Sequence, residues 1–189
     1  LGFYSVVEAA LGADIVAYSE SKELAEKGFL TSSCCPAFVD YVKKFYPKLP
    51  ENISHNLSPT AAIAKYIKET DETAKVIFIG PCTAKKAEAK QERVAQYVDC
   101  VLTFEELQAL IDSRNIELTE LPEDVLDNAS YYGRIFARSG GVSEAVGQAI
   151  KEQNIDFTVD PLPCDGIEEC KTALLKASRG ILKNNFIEG

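Results

Sequence analysis

The sequence contains no methionine, no tryptophan and a single histidine, His55. A natural chain starts with methionine, so a start at Leu1 predicts a fragment of a longer protein. No local protease signature surrounds any cysteine, which argues against a Cys–His hydrolase using His55. Basic residues are outnumbered: 20 Lys and Arg stand against 29 Asp and Glu, for a net charge of −9. No basic stripe exists to neutralise phosphates, which argues against nucleic acid, and the acidity itself reads as solubility. No apolar run approaches the ~20 residues that span a bilayer. A basic, apolar, small-residue leader is also missing, as are repeats and low-complexity segments. The expectation is a chain with no membrane partner and a cytoplasmic setting.

What is present is a core-forming composition. Apolar residues make up 46% of the 189, which excludes disorder and suits one domain or two small lobes. Six cysteines (34, 35, 82, 100, 164 and 170) are too few for a disulfide-stapled scaffold. In a reducing compartment, clustered cysteines are more often metal-binding or catalytic than structural.

Residues 2–12 read as a helix ended by Gly12, Asp14–Tyr18 as a buried strand, and Ser21 to Gly28 as a second helix. Phe29 and Leu30 form a short strand. Pro36 opens a helix with Phe38, Tyr41, Val42 and Phe45 at helical spacing. Ser58-Pro59 starts another through a hydroxyl cap followed by proline. Lys75–Ile79 reads as a strand, followed by a polar helix to about Gln96 and a strand over Tyr97–Thr103. Thr103 and Glu106 fit a capping box. Residues 115–131 look irregular. Ser139-Gly140-Gly141 opens a helix over Val142–Glu152, Phe157–Leu162 is strand-like, and Gly166–Ala177 is helical. Short strands alternating with helices predict an α/β protein with mostly parallel sheets flanked by helices, whose ligands bind beyond the carboxyl ends of the strands.

Two cysteine motifs sit at such ends. One is Thr31-Ser32-Ser33-Cys34-Cys35-Pro36, and the other is Gly80-Pro81-Cys82-Thr83-Ala84-Lys85-Lys86. Thiolates are the preferred protein ligands of iron–sulfur clusters. Taken singly, each cysteine also fits a small buried hydrophobe, and Lys85 and Lys86 a solvated helix face. A lysine and free helix N–H groups would lower a nearby thiol's pKa and attract an anionic ligand.

The two loops resemble the first two signature motifs of the iron-only ([FeFe]) hydrogenase catalytic domain, Thr-Ser-Cys-Cys-Pro and Pro-Cys-Thr-x-Lys-Lys-x-Glu. The second runs here from Pro81 to Glu88. Ala10-Leu11-Gly12-Ala13-Asp14, Ser58-Pro59, Phe136–Val142 and Phe186-Ile187-Glu188 are similar to further family segments, so the resemblance covers nearly the whole chain. It implies a two-lobed domain with a cluster site in the cleft between lobes. The implied cofactor is a 4Fe-4S cluster bridged to a diiron subsite (together the H-cluster), which interconverts protons and electrons with dihydrogen. Electrons would come from ferredoxin or ferredoxin-like domains.

By motif position the resemblance makes Cys35 and Cys82 the first two metal ligands and Cys34 the proton-relay thiol. Lys85 would hydrogen-bond a cyanide ligand, and Ser58 belongs with the cofactor-binding residues. Ser54, Glu23 and Glu20 fall on the family's proton route, although as bare sequence the two glutamates fit ordinary helix-surface charge. The whole chain 1–189 is expected to be a single fragment of that domain, ending before the third cysteine motif. With two of four cluster ligands it is expected to be inactive alone and to hold no stable cluster.

Three positions depart from the pattern. Gly80 and Ser143 stand where methionines are usual, and Phe38 where tryptophan is common. These changes predict a roomier pocket and resemble the sensory branch of the family. Cys100 reads as core, and Cys164 and Cys170 as packing residues. The rivals to an enzyme are a hydrogen- or redox-sensing regulator, a hydrogenase-like iron–sulfur scaffold without a diiron site, and an α/β domain with unrelated cysteines. A scaffold predicts loss of the Cys34–Lys85 pair, and both residues are present.

Overall fold

A computed structural model describes all of residues 1–189. The first regular element, α1 (Ala9–Lys27), is a single 19-residue helix, so the expected helix–strand–helix over residues 2–28 is corrected. Gly12 does not stop it. A Cβ at that position would overlap the carbonyl oxygen of Pro59, so the glycine lets α1 approach α3 (Pro59–Thr70) closely. The apolar run read as a strand is the buried face of the helix, with Ala13, Val16 and Ala17 inside. Short apolar runs fit either element by pattern alone. Ser21 donates to the Tyr18 carbonyl instead of capping a helix. Gly28 ends α1 as expected, at φ 74°.

Several of the remaining starts follow local capping rules. Cys35 caps α2 (Pro36–Phe45) with its sulfur, Ser58 caps α3, and Thr103 and Glu106 complete a capping box on α6 (Phe104–Ser113). The polar segment after Cys82 breaks into two short helices, α4 (Ala84–Glu88) and α5 (Glu92–Ala95). Beyond α6 lie α7 (Tyr131–Ile135), α8 (Gly141–Glu152) and α9 (Ile167–Ser178).

Two parallel sheets make the frame. One has the order β1-β5-β4, from Leu30–Thr31, Phe186–Glu188 and Pro161–Pro163; the other pairs β2 (Ile77–Ile79) with β3 (Cys100–Leu102). The strands are shorter than expected over 75–79, 97–103 and 157–162. Strand β5 is fully buried at the centre of its sheet, a role its sequence pattern did not suggest.

Apolar side chains gather in three clusters. The largest joins α1, α8 and Phe186; the second joins α2, α9 and Ile187; the third lies under β3 and α5. Cys100 is exposed, correcting its reading as core, whereas Cys170 is buried in the second cluster. No helix is long and apolar enough to cross a membrane.

Candidate active site

The loop after β1 carries Ser32 to Cys35 and is held on three sides. Ser32 Oγ donates to the Gly189 carbonyl at 3.2 Å and accepts from the Gly189 N–H at 3.1 Å. Ser33 Oγ donates to the Asn56 carbonyl at 3.0 Å. Cys35 Sγ accepts from the Phe38 N–H at 3.5 Å. The loop after β2 reaches it through Lys85, whose ammonium donates to the Cys34 carbonyl at 3.0 Å and pairs with Glu88 at 2.8 Å. Lys85 and Glu88 are both buried. An ammonium has three N–H donors, so one remains for a ligand in the cleft.

Behind Cys34 stands Glu20 of α1, 1% exposed, with neither carboxylate oxygen hydrogen-bonded. Burial pushes its pKa up to about 8, opposed by the nearby Ser54 hydroxyl and reinforced by the charges of Glu23 and Glu188. Glu20 is therefore a neutral acid at pH 7. In this structure the Ser54 hydroxyl donates to Glu23 at 3.1 Å, so it is not committed to Glu20.

Glu23 has the opposite character. Burial alone would raise its pKa, but Lys27, the His55 N–H and Ser54 outweigh that and hold it below the usual carboxylate range. Lys27 lies at 2.8 Å and Asn56 Nδ2 at 2.9 Å. Cys34 is a protonated thiol: desolvation pushes it up to about 12, Glu20 adds to the rise, and Lys85 opposes only part of it.

The tertiary fold thus brings together Cys34 and Lys85, and Glu23 and Ser54, with Glu20 close enough to both groups to perturb them. Ser58 is buried as the cap of α3, its Oγ accepting from the Ala61 N–H at 3.4 Å. Cys35 and Cys82 are free, partly buried thiols at their strand ends. In donor chemistry they suit iron. No group of three or more His, Cys, Asp or Glu side chains is placed to hold a metal ion.

A match to the family described as "Iron only hydrogenase large subunit, C-terminal domain" extends over residues 1–189. The chain belongs to that family. It is 31% identical over 174 residues to Iron hydrogenase 1 of Clostridium pasteurianum, covering 80% of this chain and 30% of that protein. It is 30% identical over 169 residues to the periplasmic [Fe] hydrogenase large subunit of Nitratidesulfovibrio vulgaris, covering 77% of this chain and 40% of that one. It is also 33% identical over 142 residues to the cytosolic Fe-S cluster assembly factor NAR1 of Botryotinia fuckeliana, covering 64% of this chain and 25% of that protein. Among solved structures, a variant of [FeFe]-hydrogenase HydA1 from Chlamydomonas reinhardtii aligns over 99% of this chain and 67% of its own, with a TM-score of 0.73 and 23% identity. The iron-only hydrogenase fold is therefore shared. The chain spans well under half the length of the curated relatives it matches.

Within this hydrogenase-type domain, the three departures from the family pattern have close neighbours. A Cβ on Gly80 would lie 2.8 Å from the Phe78 ring, which covers the glycine. The Phe38 ring packs against Gly189. Ser143 donates through Oγ at 2.5 Å and through N–H at 2.9 Å to Glu188, so its hydroxyl is occupied.

Sequence reading missed the role of Glu188, a buried carboxylate that caps the N-terminus of α8 from β5. No local pattern marks such a partner 45 residues away. Glu88 did carry a signal, since it stands three residues after Lys85 on one helix face.

Proposed function

We propose that this chain is the cluster-bearing and proton-relaying part of an iron-only hydrogenase, working in a reducing cytoplasm with a ferredoxin-type electron donor. The observation that carries the reading is the buried, unpartnered Glu20, set between partly buried Cys34 with its Lys85 contact and the Ser54–Glu23 pair. Bare surface charge does not account for an unpartnered carboxylic acid in the core, because burying one without a hydrogen bond is costly. A neutral acid near Cys34 is suited to proton exchange at neutral pH.

Cys35 and Cys82 would hold the 4Fe-4S cluster, and Lys85 has a free N–H for an anionic ligand. When bound, the diiron subsite supplies the redox chemistry that joins protons and electrons into dihydrogen. The residues of the chain move the proton. Glu23 meets the surface loop. The Ser54 hydroxyl rotates between Glu23 and Glu20. Glu20 holds a proton close to Cys34, and the thiol passes it into the cleft.

Gly80 and Ser143 favour a second reading, a hydrogen-sensing member with the same relay and slow turnover. Similarity to NAR1 supports a third, an iron–sulfur scaffold or assembly factor. The retained Cys34–Lys85 pair disfavours it.

The test is anaerobic reconstitution of the parent protein with iron and sulfide and then a synthetic diiron complex, followed by infrared spectra and a hydrogen assay. Carbonyl and cyanide bands with rapid turnover are expected. The same bands with very slow turnover favour the sensor. Iron–sulfur absorbance without those bands removes the hydrogenase reading and leaves the scaffold.

A further inference from the structure

His55 is the only histidine of the chain, and its ring takes no part in the relay described above. Its ring is 75% exposed, yet its Nδ1 lies 3.0 Å from Glu23 Oε1. The same nitrogen lies 3.2 Å from Lys27 Nζ. The His55 backbone N–H donates to both Glu23 oxygens, at 3.2 and 3.0 Å, and so anchors the residue whatever the ring does. The ring borders a groove between α1 and α3 that Asn56, Lys65, Tyr66 and Glu69 also line. The charged groups facing it are therefore Glu23 and Lys27 from α1, and Lys65 and Glu69 from α3.

We propose that His55 is the proton exchanger of this surface, loading Glu23 from solvent. The inference rests on the reading of Glu23 as the outer end of a relay. Two tautomers of the ring find partners here. With a proton on Nδ1, the ring donates to Glu23; with Nδ1 bare, it accepts from Lys27. Solvent adds a proton at Nε2 of the first tautomer. The Nδ1–H bond then breaks, the proton goes to Glu23 Oε1, and a neutral ring remains with its proton on Nε2. One proton has entered and one has left. Exchange of Nε2–H for Nδ1–H through water resets the ring.

The carrier is needed because Glu23 is held below the usual carboxylate range. At neutral pH such a group rarely takes a proton directly from dilute hydronium. Imidazole is the side chain whose ordinary range allows exchange with water near pH 7.

Nitrogen-15 NMR of the 189-residue chain gives one histidine spectrum, free of overlap from other imidazoles. The wild type is expected to show the Nδ1–H tautomer in its neutral form. E23Q should reduce that tautomer, since a neutral amide is a weaker acceptor than a carboxylate. K27M should raise it, since the donor to a bare Nδ1 is gone. An unchanged tautomer in E23Q overturns the proposal.

In the diiron-loaded parent, H55A keeps the backbone bonds to Glu23. It should lower turnover at neutral pH about tenfold, with imidazole buffer restoring it. Loss without rescue, or no loss, also overturns the proposal. An unproductive wild type with the NMR coupling intact would instead overturn the relay and leave the His55–Glu23 exchange standing.

Discussion

The ammonium of Lys85 is bonded at 3.0 Å to the carbonyl of Cys34, a residue 51 positions earlier in the chain. That contact joins the two cysteine loops, one following β1 and one following β2. Its other partner, Glu88 at 2.8 Å, neutralises the cation inside the protein. A buried pair of this kind adds little net stability when intact and costs much when half of it is removed.

Replacing Lys85 by methionine should therefore lower the unfolding free energy by about 3–5 kcal/mol, since Glu88 would be left charged and buried. The double variant K85M/E88L should recover most of that loss. Urea unfolding of the two variants against wild type checks this. Equal destabilisation of single and double variants would mean that Lys85 matters through packing.

Glu20 should make stability depend on pH in an unusual direction. Its folded pKa is raised to about 8 from an ordinary value of 4.5, so between those values the folded state binds the proton more tightly than the unfolded state. The contribution is full below about pH 4.5, declines as pH rises, and is gone above about pH 8. E20Q should flatten that part of the profile. Denaturant midpoints at several pH values between 4 and 9 measure it. A wild type and E20Q with parallel profiles would place Glu20 in contact with water.

Two glycines separate steric fit from backbone freedom. G12A forces a Cβ into the Pro59 carbonyl and should pry α1 from α3, with a loss of several kcal/mol and a lower melting temperature. G28A meets open space but keeps a positive φ, so its cost should be near 1 kcal/mol. Thermal melts of the two variants should rank G12A well below G28A. The reverse order would show that α1 and α3 do not approach through Gly12.

S58A tests whether Ser58 serves the helix cap. Loss of the bond to the Ala61 N–H should destabilise the protein by about 1 kcal/mol. In the reconstituted parent, S58A should leave iron content unchanged while C35S and C82S reduce it. A fall in iron with S58A and no change in stability would return Ser58 to the cofactor-binding residues.

Much of the scaffold was readable because helix caps are local. Gly28, Pro36, Ser58-Pro59 and the Thr103–Glu106 box act on backbone groups within about four residues, so identity and spacing are sufficient. The cysteine loops were readable for a similar reason: each sits between a short apolar run and a helix start. Cys100 was misread because β3 is exposed at its beginning, and strand-like composition does not say which face is covered. The long helix α1 was hidden because Gly12 reads as a stop unless the carbonyl of Pro59 is known to press against it.

By itself, then, the sequence determined the capped helix starts of α2, α3 and α6, the parallel α/β class, the two thiol loops and the family they mark. Tertiary structure alone decided that Phe186–Glu188 is the central strand, that Phe78 covers Gly80, that Ser143 holds Glu188, and that Glu20 stands unpartnered in the core beside Cys34. It also brought His55 onto Glu23. The physical reason is range. Caps and turns depend on neighbours along the chain, whereas burial, ion pairing and the resulting pKa values depend on which distant backbones close around a group.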